Sequence, residues 1–209
     1  DILLDLLEAG KGGQPTLINH FKILTEKQYQ KLVYDWNKTE RPSPQQKTMH
    51  ALFEKQVKER PQNIAFINES YRLNYQELNE KANRLAHYFI NHCDIKPDSL
   101  IALCLDKSEY TFVAMLAVLK SGAAYVPIDP NSPDERIKYI LKDTKAKLLL
   151  TNETHQKRLE RIKEIDLKIF CIGSIELEVE LQCQSLDNPT NSCIGTDLAY
   201  VIYTSGTTG

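Results

Sequence analysis

The chemistry of this chain is concentrated at residues 198–209, Leu198-Ala199-Tyr200-Val201-Ile202-Tyr203-Thr204-Ser205-Gly206-Thr207-Thr208-Gly209. An apolar run passes directly into six residues that are only Gly, Ser or Thr. Gly206 and Gly209 allow positive φ and let the backbone approach a ligand closely. Successive amides in such a loop can converge on an anion. The hydroxyls of Thr204, Ser205, Thr207 and Thr208 add neutral donors. This is donor chemistry suited to phosphate oxygens at the carboxyl end of a sheet strand. Read from composition alone, the hexad serves equally as a Ser/Thr/Gly turn. It is not a Walker A loop, which needs G-x-x-x-x-G-K-[ST], and it is not G-x-G-x-x-G.

Other constellations are weaker. His20, His50, His87, His92 and His155 form no H-E-x-x-H and pair with no matched cysteines, so no metal site is expected. A G-x-S-x-G nucleophile elbow is missing. Asp129 and Asp134 flank a loop and are read as capping residues. Lys157, Arg158, Arg161 and Lys163 interleave with Glu160 and Glu164, which predicts a solvated helix face. The cysteines, Cys93, Cys104, Cys171, Cys183 and Cys193, are odd in number and lack a CxxC. They read as free thiols in a reducing, cytoplasmic compartment.

Elements that could position the hexad follow from the pattern. Met49, Leu52, Phe53 and Val57 predict a helix face ending near Pro61. Residues 64–67 and 71–73 read as short strands. Asn74 and Glu77 form a capping box for a helix burying Leu78, Ala82, Leu85, Ala86 and Phe89. A strand at 100–105 precedes a helix capped by Ser108 and ended at Gly122. A strand at 123–128 precedes a helix opened by Ser132-Pro133-Asp134-Glu135, with Ile137, Ile140 and Leu141 inward. Strands at 148–150 and 167–172 flank a polar helix at 155–165. A polar stretch then leads to a final strand at 198–203. Strands 148–150 and 198–203 are apolar on successive residues, as strands buried on both faces are. The alternation predicts an α/β fold: repeated β-α-β units in a mostly parallel sheet with helices on both faces.

Upstream, Gly10-Lys11-Gly12-Gly13-Gln14-Pro15 breaks the chain. Thr25 then caps a short helix with Tyr29, Leu32, Val33 and Trp36 on one face, followed by the polar, proline-broken residues 37–44. A helix this short is expected to dock on a neighbour. Residues 1–10 lack the basic leader of a secretory signal. The chain has 209 residues, is 42% hydrophobic and carries a formal net charge of −2. That excludes a dominant basic face for nucleic acid or anionic membrane, and no apolar run approaches the ~18 residues that span a bilayer.

Three ordered segments carry a family resemblance. Residues 198–209 resemble the phosphate-loop signature of the adenylate-forming superfamily. Leu119-Lys120-Ser121-Gly122-Ala123-Ala124-Tyr125-Val126-Pro127-Ile128-Asp129-Pro130 resembles the second core motif of nonribosomal peptide synthetase adenylation domains, and Leu73-Asn74-Tyr75-Gln76-Glu77-Leu78 the first. Pro133-Asp134-Glu135-Arg136 fits just behind the second motif. Trp36-Asn37-Lys38-Thr39 is similar to the linker between condensation and adenylation domains.

The resemblance implies residues 1–24 as the tail of a condensation domain, 25–48 as an interdomain linker with a docking helix, and 49–209 as the N-terminal part of the large adenylation subdomain. It implies ATP and Mg²⁺, an amino-acid substrate, and a phosphopantetheine arm on a carrier (thiolation) domain. It also implies an adjacent condensation domain and a small MbtH-like helper as partners, and neither nucleic acid nor membrane. It assigns Thr204, Ser205, Gly206, Thr207, Thr208 and Gly209 to the ATP phosphates. The catalytic residues are expected downstream of Gly209, so residues 1–209 alone should be inactive. The rival expectations are another carboxylate-adenylating ligase, acyl- or aryl-activating, and a non-catalytic docking module that retains the fold.

Overall fold

The computed structural model describes residues 24–40, 47–68, 71–163, 166–190 and 193–204. The chain divides into two compact units, Asp1–Pro44 and Gln45–Gly209. In the first, Thr25 caps helix Glu26–Tyr29: its Oγ1 accepts from the Gln28 amide at 3.3 Å, and Gln28 Oε1 accepts from the Thr25 amide at 2.9 Å. From Gln30 to Asp35 the helix widens to π geometry, and the Trp36 amide reaches the Lys31 carbonyl. The widened turn departs from the 3.6-residue spacing that the sequence suggested. Tyr29, Leu32, Val33 and Trp36 are all exposed within this unit.

The second unit begins with α1 (Met49–Glu59), capped by Thr48. Its inner face matches the expected one in part: Phe53 packs against the core and Val57 is half-buried. His50 is buried, while Met49 and Leu52 stand 54% and 41% exposed. The buried ammonium of Lys120 sets this rotation. It pairs with Glu54, four residues after His50, and so draws the 50/54 edge inward. Strands β1 (Ile64–Ile67) and β2 (Arg72–Asn74) form an antiparallel hairpin. Asn74 then caps α2 (Tyr75–His92) through the expected box: its Oδ1 accepts from the Glu77 amide at 2.8 Å, and Glu77 Oε2 accepts from the Asn74 amide at 2.9 Å. The five apolar residues assigned to the inner face of α2 are all buried.

The central sheet contains β3 (Leu100–Cys104), β4 (Ala124–Pro127), β5 (Leu148–Thr151) and β6 (Lys168–Cys171). All pair in parallel, in the order β4-β3-β5-β6. Connecting them are α3 (Glu109–Lys120), α4 (Asp134–Thr144) and α5 (Glu153–Ile162), and α6 (Ile175–Gln182) follows β6. Side chains alternate across the sheet, so it carries two cores. Ile101, Leu103, Leu148 and Leu150 pack with α2, α3 and α6. Ala102, Cys104, Val126 and Leu149 pack with α4 and α5.

Several expectations change. Helix α6 lies in the stretch read as merely polar. Ser174 caps it, its Oγ accepting from the Leu177 amide at 3.3 Å, and Leu177 and Leu181 are buried. The start of α4 is not capped by Ser132. Pro133 occupies the N-cap position with ψ 146, and Asp134 is the first helical residue. A proline disfavours helical geometry in the residue before it, which keeps Ser132 outside. Helix α5 starts at Glu153 rather than at residue 155. All five cysteines are free thiols. None of the described helices is long and apolar enough to cross a membrane.

Candidate functional site

Strand order reverses at β3. Its crossover runs through α3 on one face to β4, whereas α4 and α5 occupy the other face. In open α/β sheets such a reversal leaves a crevice between the carboxyl ends of the adjacent strands, here β3 and β5. Side chains span it. Asn152 Nδ2 donates to Asp106 Oδ2 at 2.6 Å, and His155 Nε2 lies 3.0 and 3.1 Å from the two carboxylate oxygens. These bonds hold the Asp106 carboxyl below its ordinary range. Thr151 Oγ1 donates to the Cys104 carbonyl at 2.9 Å, closing the gap from below.

Beyond β4 lies the run that ends in the hexad. It joins the sheet through one parallel bridge, Tyr125 to Tyr200. The Tyr125 amide donates to the Ala199 carbonyl at 3.2 Å, and the Val201 amide donates to the Tyr125 carbonyl at 3.0 Å. Their rings pack 5.7 Å apart. Upstream, the Leu198 amide donates to Asp98 Oδ1 at 3.1 Å. This run was expected to be buried on both faces. Instead Leu198, Tyr200 and Ile202 are 50%, 48% and 55% exposed, while Val201 and Tyr203 pack against the α4/α5 core.

Tyr203 is held by α4. Its hydroxyl donates to Asp143 Oδ2. Its ring meets Tyr139 edge-on at 6.3 Å, and the Arg136 guanidinium lies 5.6 Å from both ring centroids. Burial and the Asp143 carboxylate push the Tyr203 phenol up to about 12, so it remains a neutral donor at physiological pH.

Helix α4 is itself tied down by Arg158. Arg158 Nε donates to Asp134 Oδ1 at 2.7 Å, Nη1 to the Pro130 carbonyl and Nη2 to the Ser132 carbonyl, both at 2.6 Å. The face read as solvated therefore contains a clamp. Asp134 serves this ion pair, and Asp129 Oδ1 accepts from the Asn131 amide at 2.9 Å.

Of the residues assigned to phosphate, Thr204 is described and exposed at the end of the run. Ser205, Gly206, Thr207, Thr208 and Gly209 lie outside the described residues. Tyr125, Asp98 and the α4 seat of Tyr203 were not foreseen as parts of the site. Tyr125 sits in the second motif, and its signal was the aromatic at a strand position. The other contacts join residues 60 or more apart and leave no local pattern. Among the described residues, no group of three or more His, Cys, Asp or Glu could hold a metal ion.

A family profile described as AMP-binding enzyme matches residues 53–209. Among curated relatives, the N-(5-amino-5-carboxypentanoyl)-L-cysteinyl-D-valine synthase of Amycolatopsis lactamdurans is 48% identical over 174 residues, covering 83% of this chain and 5% of that protein. Gramicidin S synthase 1 of Brevibacillus brevis is 44% identical over 185 residues, covering 88% of this chain and 16% of that protein. Among solved structures, the AMPPNP-bound form of the nonribosomal peptide synthetase FmoA3 is 26% identical with a TM-score of 0.73, covering 82% of this chain and 18% of that one. The N-terminal subdomain of Klebsiella oxytoca NpsA is 26% identical with a TM-score of 0.64, covering 79% and 40% respectively. The chain spans between 2% and 16% of the length of the curated relatives it matches.

Proposed function

The chain belongs to the AMP-binding enzyme family, and from that premise we propose that it is the N-terminal part of a nonribosomal peptide synthetase adenylation domain. The complete domain activates an amino acid with ATP. The amino-acid carboxylate attacks the α-phosphorus, the bond to the bridging oxygen breaks, and pyrophosphate leaves. The aminoacyl adenylate then passes its acyl group to the thiol of a phosphopantetheine arm on a carrier domain, releasing AMP. Residues 1–24 close a condensation domain, 25–48 link it, and 49–209 begin the adenylation domain. The free thiols support a reducing, cytoplasmic setting, and a small MbtH-like protein is a further partner.

One observation carries this reading: a run pinned to β4 by Tyr125 ends at Thr204 and enters a segment made only of Gly, Ser and Thr. Hydroxyl and amide donors match phosphate oxygens. In our reading Thr204, Ser205, Thr207 and Thr208, with the backbones of Gly206 and Gly209, hold the β- and γ-phosphates and orient the leaving pyrophosphate. Neutral hydroxyls and amides alone are a poor divalent-cation site, since they lack the carboxylates that usually anchor one. Mg²⁺ would come bound to the ATP phosphates and to groups elsewhere in the domain.

The test is pyrophosphate exchange into ATP by the complete domain across an amino-acid panel. Exchange with one or a few amino acids is expected; none across the panel, with helper protein supplied, would refute the reading. A Ser205→Ala, Thr207→Ala double variant should lose about 1–3 kcal/mol of phosphate contact, or one to two orders of magnitude in kcat/KM for ATP.

A further inference from the structure

The hexad after Tyr203 contains only Gly, Ser and Thr. On the near side, ladder bonding to β4 ends at the Val201 amide. Tyr203 is the last bulky residue before Thr204, and three residues of α4 hold it. Asp143 takes its hydroxyl proton in a hydrogen bond, Tyr139 meets its ring edge-on, and Arg136 lies against both rings. Helix α4 is in turn fixed at its first turn by the Arg158–Asp134 pair. A rigid path therefore runs from α5 through α4 to the residue that precedes the loop.

We infer that Tyr203 is a positioning residue whose seat on Arg136, Tyr139 and Asp143 fixes the direction in which the chain leaves the sheet at Thr204. Where that loop holds the ATP phosphates, as proposed above, the seat lowers the ordering needed when ATP binds. Its loss should weaken ATP use while leaving amino-acid recognition alone.

The experiment uses the complete adenylation domain with Tyr203→Phe, Asp143→Asn and the double variant. Tyr203→Phe keeps the ring on Arg136 and removes only the hydroxyl. Hydrogen exchange of peptides covering residues 198–209 is followed without nucleotide, and KM values for ATP and for the amino acid that supports exchange are measured separately. Expected are faster amide exchange in this segment and a rise of a few-fold up to about tenfold in KM for ATP, since only part of what the lost hydrogen bond contributes can pass to ATP binding. The amino-acid KM should stay within about twofold, and the double variant should be no worse than Tyr203→Phe. Unchanged amide exchange and ATP KM in a folded Tyr203→Phe protein would overturn the inference. So would a parallel rise of both KM values with a lower melting temperature, the mark of a merely structural role. If the wild-type domain exchanges no pyrophosphate at all, the ATP reading fails. The amide exchange then decides alone: acceleration supports the anchor, and wild-type rates overturn it.

Discussion

At the residue scale, Arg158 is the clearest case of a side chain chosen for shape as well as charge. Its fork meets two backbone carbonyls and one carboxylate oxygen of residues 130–134. A lysine ammonium is compact and cannot span those acceptors. Arg158→Lys should therefore cost about 1–3 kcal/mol, the range for hydrogen bonds from charged donors, read by urea denaturation. Wild-type stability in this variant would show that the charge alone suffices. Asp106 gives a pH prediction. Its folded carboxyl is depressed by the bonds from His155 and Asn152. The stability it contributes is therefore complete above the ordinary carboxylate value of about 4 and is lost as pH falls through the depressed folded value. Because the side chain is half exposed, that contribution is below about 1 kcal/mol. The stability gap between wild type and Asp106→Asn should narrow from pH 7 to pH 3; a constant gap would show that the carboxylate does not contribute as a charge.

At the element scale, helix ends decide the geometry. Gly122 turns α3 into β4 with φ +89, and a Cβ there would stand 3.3 Å from Cys193 Sγ. Gly122→Ala should cost about 1–3 kcal/mol for the left-handed backbone, measured by thermal melting; an unchanged melting temperature would mean the turn relaxes freely. This turn was legible in the sequence, as was the Asn74–Glu77 box, because both signals are local. Helix α6 was not. Its sequence, Ile-Glu-Leu-Glu-Val-Glu-Leu-Gln, alternates with period two, yet Leu177 and Leu181, four apart, are buried, and Ile175 is 80% exposed. The Ser174 cap and packing against the α2/α3 core outweighed the period.

At the scale of the whole molecule, a polar hub joins segments far apart in sequence. Asn188 Oδ1 accepts from Lys120 Nζ, Asn79 Nδ2 and Asn83 Nδ2, each at 3.0 Å, and Lys120 also pairs with Glu54. The side chain of Lys120 is fully buried, and burial lowers its basicity against the opposing effect of Glu54. Asn188→Ala would strip a shared acceptor from three donors and should cost about 1–3 kcal/mol; near-wild-type stability would show that water substitutes for the carboxamide. The order of the α/β units and the inner faces of α2 and α4 could be read from periodicity. This hub, the Arg158 clamp and the seat of Tyr203 could not, since each depends on contacts between residues brought together only by the fold.

The single bridge between Tyr125 and Tyr200 has a consequence for how the protein is made. A chain growing from its amino end completes β3 through β6 before residue 198 is synthesised. The last run is therefore laid onto a finished template rather than helping to build it, and it closes a loop of some 75 residues for two backbone bonds. A late addition of this kind, joined to the sheet by one bridge and held otherwise by side chains, contributes little to the rate at which the sheet forms. Substitutions at residues 198–204 should therefore change how firmly the finished sheet holds this run more than how fast the sheet assembles.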